Sequence, residues 1–174
     1  MRAALLSLVL LAACTNGGDA PPARVGETPA RHDDALLDKN KELSEREDRD
    51  INDWIARQGV PMIRSGTGVR YKLVRDVPGD TAHSGQIAVI RFRVELLNGT
   101  VCYASEPGTA ESFRIEHDNV ESGLHEAVQH MSPGDSAVIV IPSHRAFGLA
   151  GDQDKIPMRS PVVYRLGLVT LRNG

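Results

Sequence analysis

The sequence predicts an α+β fold, an antiparallel half-barrel of five to six strands around one short helix, preceded by a charged N-terminal helix. Three observations lead to this prediction. Short apolar or alternating segments, separated by turn residues, fill the chain from about residue 65 onward and are typical of antiparallel strands. In that part, only residues 120–131 have the spacing of a core-facing helix. Residues 31–60, by contrast, are charged and helix-prone.

Length and composition limit the classes of function. The 174 residues suffice for one ordinary domain with appendages, and 41% of them are hydrophobic. Lys and Arg total 20 against 23 Asp and Glu, and this net charge of −3 argues against a nucleic-acid partner, which requires a basic surface. Two cysteines are too few for a disulfide framework or a cysteine-rich zinc site. His125 and His130 are five residues apart and so not on one helix face, and Asp152 and Asp154 supply too few oxygens for a calcium loop, so we expect no metal ion.

The N-terminal residues have the features of a lipoprotein export signal. Arg2 precedes an apolar stretch, residues 3–11, which is too short to span a bilayer. The stretch ends in the letters LAAC, which resemble a bacterial lipobox whose cysteine, Cys14, receives the lipid. We therefore expect a lipoprotein signal peptide at 1–13 and a lipid-anchored protein of the cell envelope. Thr15 favours the periplasmic face of the outer membrane, and an ordinary signal peptide is the alternative.

Two segments of different composition follow the signal. Residues 14–30 are rich in Gly and Pro and hold almost no large apolar residue, so we expect a flexible tether. Residues 31–60 predict a charged helix in which Ile51, Trp54 and Ile55 form one apolar turn. We expect a solvated helix held by that turn. Dimerisation through this helix is the alternative, which the lack of sustained heptads disfavours.

Residues 61–174 predict one β-rich domain. The longest strand, residues 87–97, ends at Asn98-Gly99, the strongest short signal for a hairpin. The helix at 120–131 carries its apolar residues on one face. The other strands are expected at 69–73, 100–103, 113–115, 137–141 and 162–169, with a long loop at 142–161.

Four motifs of this domain, in order and at matching separations, resemble those of FKBP-type peptidyl-prolyl isomerases. They are VESGLHEAV followed by MSPGD between 120 and 135, IPSHRAFGLAGD at 141–152, IP at 156–157 and VVYRLGL at 162–168. The similarity covers about residue 68 to the C-terminus. The lipobox, the charged helix and the loop letters GDQDKI make the chain similar to the FKBP-like lipoproteins of Bacteroidetes-type bacteria. That subgroup includes gliding-motility-associated members.

The resemblance implies an FKBP-like half-barrel whose pocket promotes rotation about an X-Pro bond without a nucleophile, a metal or a cofactor. Carried over position by position, the pocket residues are Phe92, Tyr103, Phe113, Val120, Glu121, Leu124, Phe147, Ile156 and Tyr164. In this scheme Glu121 donates its backbone N–H to the ligand carbonyl, and Leu124 replaces the family's floor tryptophan. Cys102 and Tyr103 stand where the family has Phe and Asp, and Phe147 replaces a loop tyrosine.

These differences from the family's pocket determine which function we expect. Because the family's Asp and its tyrosine hydroxyl are missing, the resemblance implies a weak isomerase that assists the folding of proline-containing envelope proteins. A non-catalytic peptide-binding or docking module in an envelope complex is the alternative, and a structural spacer is a third hypothesis. Since the charged helix lies outside the resemblance, we expect a chain from about Arg64 onward to fold by itself.

Several pocket residues also have plainer explanations. Taken alone, Phe92, Phe113 and Leu124 are each better explained as plain core than as pocket residues. Cys102 fits a small buried hydrophobe better than a reactive thiol, because no basic neighbour in the sequence lowers its pKa. Tyr103 is either a surface residue at the exit of a strand or a substitute for the missing polar group.

Overall fold

The structure, a computed structural model, describes residues 30–174, with side chains from residue 34 onward. The expected signal peptide, the lipidation site Cys14 and residues 14–29 of the expected tether lie outside the described residues. Helix α1 spans Ala30–Gln58 and helix α2 spans Ser122–Val128. The strands are β1 Ile63–Arg64, β2 Arg70–Arg75, β3 Ile87–Leu96, β4 Val101–Ala104, β5 Glu111–Arg114, β6 Ser136–Ile141 and β7 Val162–Arg172, and one turn of 3₁₀ helix covers Ser143–Arg145.

The strands within residues 30–174 form one seven-stranded antiparallel sheet in the order β1-β2-β6-β7-β3-β4. Strand β3 pairs with β7 along its length, with Ile90 opposite Leu168 and Val94 opposite Tyr164. Its other edge is shared, because β5 pairs with the first half of β3 and β4 with the second half. The predicted α+β fold is confirmed. The seventh strand is the two-residue β1, which the sequence analysis did not predict.

Helix α2 packs against one face of the sheet, which we name the inner face. Leu124 and Val128 are at most 4% exposed and belong to the main core together with strand residues such as Ile139. Gly123 permits this close contact, because a Cβ at that position would lie only 2.3 Å from Cγ2 of Ile141. The predicted helical face is confirmed, although α2 ends three residues earlier than the predicted segment.

Helix α1 packs against the opposite, outer face. Ile51 is fully buried and Trp54 is 6% exposed, and both pack against Val140 of β6 and Val163 of β7. Neighbouring residues of a strand point to opposite faces, so these valines lie on the side of the sheet away from α2. Leu37 near the start of α1 is 65% exposed, so the apolar turn at Ile51 and Trp54 makes the buried apolar contact of the helix with the sheet. Neither helix within residues 30–174 combines the length and the apolar character that a membrane span requires.

A buried arginine also ties α1 to the sheet. Arg70 at the start of β2 is 2% exposed, and its guanidinium pairs with Asp48 of α1. It also donates to the Gly68 carbonyl at 2.7 Å. Desolvation opposes ionisation of Asp48, but the hydrogen bond and charge of Arg70 and the charge of Arg64 outweigh it and lower the pKa of Asp48. Removal of α1 would leave Arg70 without its carboxylate, which weighs against independent folding of a shorter chain.

Candidate active site

A cavity of about 310 Å³ opens on the inner face, between β3, β5, the start of α2 and the loop after the 3₁₀ turn. Its wall consists of Ile90, Phe92, Tyr103, Glu111, Ser112, Phe113, Val120, Glu121, Leu124, Phe147, Asp152 and Tyr164. Eight of the nine residues expected in the pocket are in this wall, and Ile156 is the exception. The structure therefore brings together side chains from six separate segments of the sequence.

The floor of the cavity is apolar and tightly packed. Phe113, Leu124 and Tyr164 are each at most 5% exposed. The rings of Phe92 and Tyr164 lie 6.1 Å apart between centroids. Phe113 and Leu124 belong to the main core and also line the cavity, so the two explanations offered by the sequence apply together. The floor of the cavity is therefore part of the close-packed core.

Phe147 forms part of the wall from a loop. The loop begins at the 3₁₀ turn, and the Ser143 carbonyl accepts the backbone N–H groups of Ala146 and Gly148 at 3.0 and 2.8 Å. This closed turn holds the half-buried Phe147 side chain in the cavity wall. Because a phenylalanine ring has no hydroxyl, Phe147 contributes apolar surface and no hydrogen bond.

Ile156 and Cys102 lie behind the wall. Ile156 is 2% exposed and sits in the main core, so its side chain does not line the cavity. Cys102 is 3% exposed, with its Sγ 3.7 Å from the Lys155 carbonyl oxygen. Burial, and then the charge of Asp152, raise the pKa of the Cys102 thiol. The prediction that Cys102 is a small buried residue is confirmed.

A tyrosine–aspartate pair forms the polar edge of the cavity. The Tyr103 hydroxyl, on β4, donates a hydrogen bond to the carboxylate of Asp152 in the loop before β7. Oδ1 of Asp152 also accepts the backbone N–H groups of Asp154 and Ile156, at 2.9 and 2.8 Å. The carboxylate therefore fixes the loop and the tyrosine at the same time.

The pair keeps one protonation state over a wide pH range. The hydrogen bond to Asp152, followed by desolvation and the charge of Asp152, raises the pKa of Tyr103 to about 12. Desolvation acts to raise the pKa of Asp152, but the hydrogen bonds from Tyr103 and from the backbone outweigh it and lower this pKa to about 2. Near neutral pH the tyrosine is therefore protonated and the aspartate is charged.

Asp152 is one of the polar residues of the site that the sequence did not predict. Its partner Tyr103 lies 49 residues away in the chain, and no local pattern joins the two. The available signal was Gly151, directly before Asp152 in a loop that the resemblance had already marked. Gly151 has a φ of 69°, and a Cβ there would lie 2.2 Å from the Ile156 carbonyl oxygen, so this turn requires glycine. The wall residue Glu111 was also left out.

Glu121 supplies a free backbone donor at the cavity wall. Its carbonyl accepts the N–H groups of Leu124 and His125, at 2.9 and 3.2 Å. Its own N–H donates no hydrogen bond to any atom of residues 34–174 and is available to a ligand carbonyl. Burial, and then the charge of Glu121, raise the pKa of Tyr164 well above its usual value, so the Tyr164 hydroxyl stays protonated.

Comparison with known proteins places this geometry in a family. A sequence model of the family described as FKBP-type peptidyl-prolyl cis-trans isomerase matches residues 79–169, more than half of the 174 residues. The chain belongs to this family. Every residue of the cavity wall lies within the region matched to the FKBP-type family, whereas α1, β1 and β2 precede it.

A sequence relative from Pseudomonas aeruginosa agrees with the FKBP-type assignment. The chain is 29% identical over 154 residues to a probable FKBP-type 25 kDa peptidyl-prolyl cis-trans isomerase of Pseudomonas aeruginosa; the match covers 88% of this chain and 65% of that protein. The chain therefore spans just under two thirds of that relative's length.

Two solved structures share the fold. FkpA from Escherichia coli matches with a TM-score of 0.65 and 24% identity, covering 83% of this chain and 68% of that one. A peptidyl-prolyl cis-trans isomerase of Pseudomonas syringae pv. tomato matches with a TM-score of 0.64 and 22% identity, covering 76% and 96%. The FKBP-like fold expected from the sequence is thereby confirmed.

Proposed function

We propose that this FKBP-type protein is a lipid-anchored peptidyl-prolyl cis-trans isomerase that assists the folding of proline-containing proteins in the cell envelope. The observation that carries the catalytic part is the composition of the cavity. An apolar floor, the free N–H of Glu121 and the polar pair of Tyr103 and Asp152 meet in a space of about 310 Å³. That combination suits a proline ring with a neighbouring peptide carbonyl.

Prolyl isomerisation requires no chemically reactive side chain. Rotation about an X-Pro bond is opposed by amide resonance, with a barrier of roughly 18–20 kcal/mol. The twisted amide has less charge separation than the planar one, so the dry surface of Phe92, Phe113 and Leu124 favours the twisted form. The N–H of Glu121 holds the ligand carbonyl while the bond turns.

Weak activity is part of the proposal. Tyr103 donates its only hydroxyl proton to Asp152, so it offers a substrate an acceptor but no donor. Phe147 has no hydroxyl to replace it. One neutral hydrogen bond contributes about 0.5–1.5 kcal/mol net, so each missing donor costs about tenfold or less in rate.

A second candidate function is a non-catalytic docking module. It is favoured because the Tyr103 hydroxyl already donates its proton to Asp152 and has none to donate to a substrate. An apolar cavity with a charged edge binds a proline-containing segment without lowering its rotation barrier if binding to the planar and the twisted amide is equally strong. The two candidate functions differ in isomerisation rate and not in binding.

A proline isomerisation assay on the chain beginning at residue 15 separates the two candidates. Uncatalysed isomerisation takes tens of seconds, so even a weak catalyst is visible. We expect acceleration for X-Pro peptides and its loss in Leu124→Ala, with circular dichroism showing that the fold persists. Leu149→Ala is the matched control, because Leu149 is 67% exposed and outside the cavity wall. Binding of such peptides without any acceleration would establish the docking module.

The anchor requires a separate experiment, because it rests on the letters LAAC, which end at Cys14. Cys14→Ser should abolish incorporation of radiolabelled palmitate and release the protein from the membrane fraction. Cys102→Ser is the matched control, since Cys102 is buried in the fold. Palmitate incorporation that persists in the Cys14→Ser chain would refute the lipoprotein assignment.

A further inference from the structure

Two hydrogen bonds join the middle of α1 to the loop that carries Phe147. The carboxylate oxygens of Glu47 accept the backbone N–H and the hydroxyl of Ser143, each at 2.6 Å. Ser143 is 6% exposed and is the first residue of the 3₁₀ turn. Both bonds are charge-assisted and are shielded from water on the Ser143 side, which makes them stronger than ordinary surface contacts.

Ser143 in turn determines where Phe147 lies. Its carbonyl accepts the N–H of Gly148 at 2.8 Å, so the residues between them form a closed turn. The Gly148 carbonyl accepts the N–H of Arg159 at 3.0 Å, and the Arg159 guanidinium donates to Oδ1 of Asn40 on α1 at 3.0 Å. The loop is therefore attached to α1 on both sides of Phe147.

The attachment points on α1 are held in place. Asn40 and Glu47 are seven residues apart, which puts them on the same face of the helix. Trp54 lies a further seven residues along and packs on the outer face of the sheet. A shift of Ser143 away from Glu47 would carry Phe147 with it, whereas the packing of Trp54 keeps α1 on the sheet.

We infer that Glu47 is a positioning residue for Phe147, so that the cavity depends on a helix outside the region matched by the family. This inference rests on the proposed function, in which Phe147 supplies apolar surface to the twisted amide. Glu47 does not line the cavity and does not touch a substrate there. It acts through Ser143 alone.

The test compares Glu47→Gln in two backgrounds. In the otherwise unchanged chain, loss of the charge-assisted bonds should lower kcat/KM for an X-Pro peptide about three- to tenfold. In a Phe147→Ala background the same substitution should change kcat/KM by less than about twofold, because the positioned ring is gone. Glu45→Gln is the matched control, since Glu45 is an exposed glutamate of the same helix. Ser143→Ala, which removes only the hydroxyl bond, should give a smaller loss of about two- to threefold.

A second measurement keeps this inference separate from the proposed function. Amide hydrogen exchange should be faster at Ser143 and Gly148 in Glu47→Gln than in Glu45→Gln, and unchanged in β3 and β7. An unsubstituted chain without isomerase activity would refute the proposed function. The hydrogen-exchange rates at Ser143 and Gly148 would then still test whether Glu47 positions the loop. Unchanged exchange at Ser143 and Gly148, unchanged kcat/KM in Glu47→Gln, or an equal loss in both backgrounds would overturn the positioning role.

Discussion

Replacing Trp54 by alanine tests whether α1 and the sheet form one folding unit. The indole is 6% exposed and packs with Ile51, Val140 and Val163 on the outer face. It also borders a cavity of about 220 Å³, which the substitution would enlarge. Truncation of a buried aromatic residue costs about 3–5 kcal/mol, and we expect the lower end because one side of the ring already faces that cavity. At about 2–4 °C per kcal/mol, Tm should fall by about 6–12 °C.

Urea unfolding followed by far-ultraviolet circular dichroism measures this loss. Leu37→Ala is the control, because Leu37 is on the same helix and 65% exposed; its effect should stay within about 0.5 kcal/mol. Trp54 is the only tryptophan, so its fluorescence in the unsubstituted chain reports the undocking of α1. The fluorescence and dichroism transitions should coincide. A loss below about 1 kcal/mol in Trp54→Ala, or an earlier fluorescence transition, would refute the reasoning.

Three further predictions concern the cavity. Phe147→Tyr should raise kcat/KM by up to about tenfold, because it adds a hydroxyl donor to the wall; an unchanged or lower value contradicts this. The folded pKa of Tyr103 lies above its unfolded value, so its contribution to stability is present below about pH 10 and is lost toward pH 12. Urea unfolding across this range should show that loss in the unsubstituted chain and not in Tyr103→Phe, whereas equal slopes would exclude the hydrogen bond to Asp152. Glu111, Glu121 and Asp152 are the charged residues of the described wall, so peptides with Lys before proline should react faster than those with Glu, by a ratio that shrinks with salt. A salt-independent ratio or a preference for Glu would contradict this electrostatic effect.

Local periodicity predicted most of the fold because it reports directly which face of a segment is buried. Strand β3 and helix α2 were predictable in this way, as was the turn at Asn98-Gly99, where Gly99 has a φ of 88°. Strand β1 was not, because Ile63 and Arg64 are both exposed and show no alternation. Its strand conformation comes from pairing with β2, in which Ile63 lies opposite Tyr71. Pairing of that kind is a property of the assembled sheet.

Part of the candidate site was likewise predictable from the sequence, and part was not. Its apolar wall residues were assigned from motif positions, and the structure brings Phe92, Phe113 and Leu124 together. The hydrogen bond of Tyr103 to Asp152 escaped prediction because it joins side chains of two distant segments that meet only after the sheet has formed. The packing of Trp54 was anticipated as one apolar turn, whereas the burial of Arg70 beside α1 had no signal in the strand pattern.

Because Cys102 is buried, a reagent can label its thiol only when the structure opens locally, so the labelling rate reports that opening. Its thiol combines 3% exposure with a raised pKa, so a thiol reagent in solution meets neither an accessible sulfur nor a thiolate. In a chain that begins after Cys14, Cys102 is the remaining cysteine. The rate at which a maleimide labels such a chain therefore measures how often the structure opens around Cys102, on the strand that carries Tyr103 to the cavity edge.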